Sequence, residues 1–169
     1  LASLVKPQKI TPSYLEVVDI AGLVKGASEG KGKGNAFLAS IREVDLILHT
    51  VRCFDDDNVM HVEGSTDAMM DIQIIEDELI LKDLETIEKR EEKLQSQSKS
   101  GDKKTKDALD IVTRLREFIE SGNKVRNFPL DEESAKVVRE MSLLTRIPVL
   151  YVCNVGEGDI PDASGNEEV

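Results

Sequence analysis

A strand-length apolar run that closes on an acid and then a glycine constrains this chain more than any other feature. Tyr14 to Gly22 reads YLEVVDIAG, in which Leu15, Val17, Val18 and Ile20 are apolar or β-branched. That pattern predicts a buried strand that gives way to chemistry at Asp19. In open α/β sheets, ligands sit beyond the carboxyl ends of the strands. A DxxG there suits a nucleotide-phosphate site: the Asp19 carboxylate can hold the water shell of Mg²⁺, and Gly22, lacking Cβ, lets a backbone N–H approach a terminal phosphate. A four-letter pattern is common, and an ordinary turn is the competing reading.

The next segment, Gly26 to Asn35, is GASEGKGKGN. Its spacing refuses both GxxxxGK[ST] and GxGxxG, so it reads as a loop following DxxG rather than as an independent anion site. Asn35 is placed to cap a short helix whose apolar face carries Phe37, Leu38 and Ile41. Asp45 to Val51, DLILHTV, is nearly all apolar and predicts a strand buried on both faces of a parallel sheet. Together with the first strand it would form a right-handed βαβ crossover. His49 lies inside that strand and reads as a core histidine. The acidic triplet Asp55 to Asp57 in the irregular segment that follows reads as a solvated turn.

From Asp67 the pattern turns helical. Ile80, Leu84, Ile87 and Leu94 recur at spacings of four and three, interrupted at Glu91, with Glu and Lys outward. Gly101 breaks the run within QSQSKSGDKK, and Ala108, Ile111, Leu115 and Phe118 resume it. The two arms are expected to pack as an antiparallel helical, coiled-coil hairpin, reaching about 30 Å for arms of about twenty residues. Lys99, Lys103, Lys104 and Lys106 gather at its tip, either as a solvated loop or as a touch point for RNA. Gly122 ends the second arm, and Asp131 caps a further helix with Ala135, Val138, Met141 and Leu144 inward. Ile147 to Cys153, IPVLYVC, predicts another buried strand, ending at Asn154. The acidic tail after Gly156 reads as a frayed end or a loop cut short.

Composition narrows the partners. The 169 residues contain no tryptophan and few aromatics, so the core must be mostly aliphatic. The net charge is −11, which disfavours indiscriminate binding to nucleic acid or to an anionic membrane. Lys82 to Arg126, however, holds twelve Lys and Arg against ten Asp and Glu, while the rest of the chain holds ten against twenty-three. A polyanion would therefore meet the middle of the chain. Cys53 and Cys153 are isolated and read as two buried thiols in a reducing compartment. No apolar run approaches the length of a membrane span, and the expectation is a cytoplasmic protein without a membrane or sequence-specific DNA partner.

DIAG after one strand, a helical hairpin inserted in an α/β sheet, and NVGE after a later strand occur in that order. Together with VVDIAGLVKGAS, GNAFLASIRE, VRCFDDDNVMHVEGS and the stretch from Asp71 to Asp83, they resemble the YchF-type, or Obg-like ATPase, branch of the Obg family of P-loop GTPases. The resemblance spans nearly the whole chain. It implies a partial P-loop NTPase parallel sheet in residues 1–79, a coiled-coil hairpin in 80–129, and a return to the G-domain in 130–169. The family's GxxxxGKS loop, switch I threonine and ubiquitin-like TGS domain do not occur in these residues. The sequence thus reads as a fragment, expected to bind nucleotide weakly by itself.

The same resemblance implies the site. Asp19 would take the Mg²⁺ shell, Gly22 the γ-phosphate, and the loop to Asn35 the role of switch II. Leu23 stands where Ras-like GTPases carry a water-orienting glutamine, and His61 in VMHVEG would be the catalytic group in its stead. Asn154 and Glu157 fall where most GTPases have NKxD. Glutamate is one methylene longer than aspartate, which should weaken selection for guanine, and the family implies ATP in preference to, or alongside, GTP. The chain departs from the branch at Lys33, where leucine is usual, and at Gly156. The expectation is a nucleotide-hydrolysing switch acting on ribosomes, with ribosomal RNA met through the hairpin. The alternatives are a GTPase of the same family and a non-enzymatic RNA- or protein-binding module.

Overall fold

The computed structural model describes residues 9, 13–19, 38, 40–54, 67–99, 101–160, 162–167 and 169. Two strands, β1 (Ile47–Cys53) and β2 (Val149–Val155), pair in parallel from Ile47↔Val149 to Cys53↔Val155. Between them run three α-helices, α1 (Ala68–Ser98), α2 (Lys103–Glu120) and α3 (Glu132–Glu140), with short 3₁₀ turns at Val125–Asn127 and Leu144–Arg146. A third 3₁₀ turn, Glu157–Asp159, follows β2. The predicted helix before β1 is represented by Leu38, Ser40 and Ile41, which are helical.

The helix boundaries follow local chemistry. Asp67 caps α1 by accepting a hydrogen bond from Met70 N at 2.8 Å. Gly101, at φ 86°, turns the chain into α2, where Asp102 accepts from Thr105 N at 3.1 Å. Gly122, at φ 84°, ends α2 as predicted. Asp131 caps α3 in a reciprocal box with Ser134, each backbone N–H donating to the other side chain at 2.8 Å.

α1 begins at Ala68, as a pattern that turns helical from Asp67 predicts, and its 31 residues extend about 46 Å at the standard rise. It exceeds the length of about twenty residues expected of a hairpin arm because its first part lies along the sheet. Its N-terminal half covers one face of β1, with Ala68 and Ile72 against Val51 and Cys53. Leu79 joins Leu38, Ile41, Leu144 and Ile147 in a second cluster. Its C-terminal half packs antiparallel on α2 around Ile87, Leu94, Val112, Leu115 and Ile119, and Val125, Phe128, Val138 and Leu143 close this core from the α3 side. Glu91, where the apolar repeat breaks, is buried in the seam. It accepts from Thr113 Oγ1 at 2.6 Å and pairs with Arg116 Nε at 2.9 Å, so the carboxylate is satisfied across the helices.

Leu115 is fully buried in this seam. Leu115→Ala is expected to cost about 2–5 kcal/mol through lost transfer energy and the cavity left behind. Replacing the exposed Glu117 by Ala should stay within about 0.5 kcal/mol. Urea midpoints of the two variants measured side by side check the difference.

Three expectations are corrected. Residues 13–19 form no strand: Tyr14, Leu15, Val17 and Val18 are exposed, and the segment pairs with nothing in the β1–β2 sheet. The predicted crossover from that strand into β1 is therefore not formed among the described residues. An apolar run becomes a strand only where neighbours take up its hydrogen bonds and cover its faces. Secondly, β1 and β2 are not buried on both faces. α1 covers the side bearing Val51 and Cys53, whereas Leu48, Leu150 and Val152 on the opposite side are exposed. Thirdly, Cys53 is buried in the cluster with Val51 and Ala68, but Cys153 is exposed.

Candidate functional site

Parallel pairing brings the carboxyl ends of β1 and β2 to one edge. There the register sets Arg52 beside Asn154 and Cys53 beside Val155. The Arg52 guanidinium lies 4.7 Å from the centroid of the Phe54 ring, and its Nε donates to Phe54 O at 2.9 Å. After β2 the chain enters the turn Glu157–Asp159, closed by Asp159 N donating to Gly156 O at 3.0 Å and Ile160 N to Glu157 O at 3.3 Å. A Cβ at Gly156 would meet Asp159 Oδ2 at 3.7 Å and Phe54 Cβ at 3.9 Å, which are ordinary contacts. Space does not demand glycine there.

Asn154 lies in β2, one residue before its end, and Glu157 opens the turn that follows, and both are exposed. Asp19 is exposed within residues 13–19, with no described hydrogen bond to this edge. Gly22, Leu23 and His61, together with most of the loop to Asn35 and the triplet Asp55 to Asp57, lie outside the described residues. Among the described residues no group of three or more His, Cys, Asp or Glu side chains gathers to hold a metal ion.

The sequence reading missed Asn166. Its Nδ2 donates to Cys53 O at 2.8 Å and to Asp159 Oδ2 at 3.0 Å, joining the tail to the end of β1 and to the turn after β2. The described tail residues fold back on the sheet rather than fraying. The available signal was the turn-forming stretch DASGN, in which Asn166 N donates to Ala163 O at 2.9 Å.

Two polar clusters behind this edge were also not anticipated. Glu76 of α1 is largely buried and gathers Lys124 Nζ, Arg126 Nη2 at 3.0 Å and Tyr151 Oη at 2.8 Å. Burial pushes its carboxyl up, but hydrogen bonds from Lys124 and Tyr151 and the charges of Lys124 and Arg126 outweigh burial and hold it below the usual range. Tyr151 lies on β2, three residues before Asn154, so the strand that leads to the loop is tied to the base of the hairpin. His49 packs beside the Tyr151 ring at 5.7 Å, and burial holds its pKa below the ordinary histidine value against the charges of Glu76 and Asp71. Asp83 of α1 is fully buried and accepts from Leu144 N at 2.7 Å, Thr145 N at 2.8 Å and Thr145 Oγ1 at 2.7 Å. It fastens α1 to the 3₁₀ turn that feeds β2.

A parallel strand pair with a loop at its carboxyl edge and a long helical hairpin between the strands fits part of a P-loop GTPase-type domain. A family described as "50S ribosome-binding GTPase" matches residues 4–75. The chain is 47% identical over its whole length to the "Ribosome-binding ATPase YchF" of Bacillus subtilis, of which it covers 46%. It is 45% identical over 99% of its length to the protein of that name from Mycoplasma genitalium, covering 45% of it. The structure of the Schizosaccharomyces pombe YchF GTPase superposes with a TM-score of 0.74 at 36% identity, over 94% of this chain and 43% of that one. The chain belongs to the YchF-type branch of the Obg family of P-loop GTPases. It spans somewhat under half the length of the curated relatives it matches.

Proposed function

We propose that the protein is a nucleotide-hydrolysing switch that works on ribosomes in the cytoplasm and prefers ATP while accepting GTP. The observation that carries this reading is the placement of Asn154 near the carboxyl end of the parallel strand β2 and of Glu157 at the start of the closed turn that follows it, both exposed. The relatives named ribosome-binding ATPases support it. Residues 1–79 and 130–169 serve as the nucleotide-binding unit and 80–129 as the hairpin that meets ribosomal RNA through Lys99, Lys103, Lys104 and Lys106. Asn154 and Glu157 contact the base, Gly22 the γ-phosphate, and His61, beside an aliphatic Leu23, orients the attacking water.

Mg²⁺ bound with a nucleotide takes most of its ligands from water and phosphate oxygens. A single exposed carboxylate, Asp19, fits that need. When bound, the ion neutralises charge developing on the phosphates.

A route from nucleotide to hairpin is supported by packing. Leu38 and Ile41, in the helix after the glycine-rich loop, bury against Leu79 and Leu144. Arg42 Nη2 donates to Thr86 Oγ1 of α1 at 3.3 Å. Order imposed on the loop would press on the hairpin base through this cluster.

Titrating the full-length protein with Mg·ATP and Mg·GTP under identical conditions tests the base assignment. ATP is expected to bind more tightly, and Glu157→Asp to lower the ATP-to-GTP affinity ratio about tenfold, the order of one repositioned charged hydrogen bond. Tighter binding of GTP by the unsubstituted protein would make it a plain GTPase, in keeping with the name of the S. pombe structure. Binding of neither would leave the hairpin as a non-enzymatic docking module.

A further inference from the structure

We propose that Asn166 is a positioning residue for base selection: its side-chain amide holds the turn that carries Glu157 against the end of β1. This rests on the reading of Asn154 and Glu157 as the base-contacting pair. The turn Glu157–Asp159 is a single 3₁₀ turn flanked by Gly156 and followed within it by Gly158. One such turn has little stability of its own, and glycine widens the conformations open to it. Its internal bonds, Asp159 N to Gly156 O and Ile160 N to Glu157 O, set its shape but not its place relative to the sheet.

Asn166 supplies the place. An amide nitrogen has two donors, and here they reach Cys53 O at 2.8 Å and Asp159 Oδ2 at 3.0 Å. The first partner is the last residue of β1, and the second is the last residue of the turn. The bond to the Asp159 carboxylate is charge-assisted and therefore the stronger kind. Asn166 is itself presented by a turn in which its N–H donates to Ala163 O at 2.9 Å and Ser164 N donates to Asp162 Oδ1 at 3.1 Å. Two loops and a strand end are thus joined through one side chain, 113 residues along the chain from Cys53.

The link to selectivity is geometric. Adenine and guanine differ at this edge in where they offer N–H groups, so a carboxylate chooses between them by its position. Glutamate at 157 reaches further than aspartate would and has one more rotatable bond. The backbone of the turn must therefore be held still for the carboxylate to discriminate. Asn166 acts through the turn, by its bonds to Cys53 O and Asp159 Oδ2.

The experiment uses the full-length protein, unsubstituted and as Asn166→Ala and Asn166→Asp, the second placing a carboxylate against Asp159. Amide hydrogen exchange reads the turn without nucleotide, and affinities for Mg·ATP, Mg·GTP and inorganic tripolyphosphate read the site. In both variants exchange at Asp159 and Ile160 is expected to speed up, and the ATP-to-GTP affinity ratio to move toward one by about fivefold or more, the scale of a lost charge-assisted bond. Tripolyphosphate affinity is expected to stay within about twofold, since it has no base to be misplaced. Unchanged exchange, an unchanged ratio in both variants, or an equal loss of tripolyphosphate binding would overturn the role of Asn166 alone. An unsubstituted protein that binds nucleotide without regard to the base, or not at all, overturns the base-loop reading and the selectivity role with it.

Discussion

Replacing Asp83 by alanine is expected to lower folding stability by about 3–5 kcal/mol, the range for breaking a fully buried charged hydrogen-bond centre. The carboxylate has no exposure, and its three bonds come from Leu144 N, Thr145 N and Thr145 Oγ1. Truncation leaves all of these donors facing a cavity. Thr145 Oγ1 also accepts from Val125 N at 3.1 Å, so the disturbance spreads to the turn after α2. The same residue carries a pH signature. Burial pushes its carboxyl up, more than the hydrogen bonds from Thr145 and Leu144 and the charge of Arg42 pull it down. A carboxyl with a raised folded-state pKa binds its proton more tightly in the native chain than in the unfolded one. Its contribution to stability is therefore greatest on the acid side and declines as pH rises from the ordinary Asp value of about 4 through the folded-state value. Urea unfolding of the unsubstituted protein and of Asp83→Asn across that window checks both parts. The stability advantage of Asp83 over Asn should shrink as pH rises, and a growing advantage would contradict the assigned direction.

Reversing the charge of Lys99, Lys103, Lys104 and Lys106 to glutamate is expected to weaken binding of the full-length protein to ribosomes about a hundredfold or more, with a shallower salt dependence. Lys99 follows α1, and the other three lie in the first turn of α2, which begins after Gly101. All four are at the end of the hairpin farthest from β1 and β2, and none buries apolar contacts in the seam. Intrinsic nucleotide hydrolysis and the urea midpoint should be unchanged. Co-sedimentation with ribosomes at two salt concentrations, with hydrolysis measured in parallel, checks this. Binding retained by the reversed tip would move the ribosome contact elsewhere on the protein. Hydrolysis lost together with binding would mean that the tip acts on the nucleotide site as well.

The local features of this chain were legible because their causes lie within a few residues. The cap at Asp131 bonds to a group three residues on, and Gly122 turns the chain through its own φ; the caps at Asp67 and Asp102, which the sequence reading did not name, follow the same local rule. The spacing of Ile87, Leu94, Ile111 and Leu115 named most of the hairpin seam, although Val112 and Ile119 widen it and Glu91 turned out to be a partner rather than an interruption. The predicted strand Ile147 to Cys153 was legible from its apolar run, but β2 runs from Val149 to Val155, because pairing with Arg52 and Cys53 carries it through Asn154 to Val155. Gly22, Leu23 and His61 remain assigned by resemblance.

Burial and long-range polar pairing belong to the tertiary structure. YLEVV has the composition of a core strand, yet its side chains are exposed, and half of β1 and most of β2 face outward beside the single face that α1 covers. Composition states what a strand can bury, and only its neighbours decide what it does bury. Glu76 meets Lys124, Arg126 and Tyr151 across 48, 50 and 75 residues, Asp83 meets Thr145 across 62, and Asn166 meets Cys53 across 113. No periodicity relates such pairs, because each exists only where two separately folded segments are carried to the same place. The sequence by itself therefore determined the helices, their ends and the family, whose signals are local in the chain. The packing of α1 on β1, and the polar ties from the hairpin base and the tail to the strand ends, were decided only when those helices were set against the sheet.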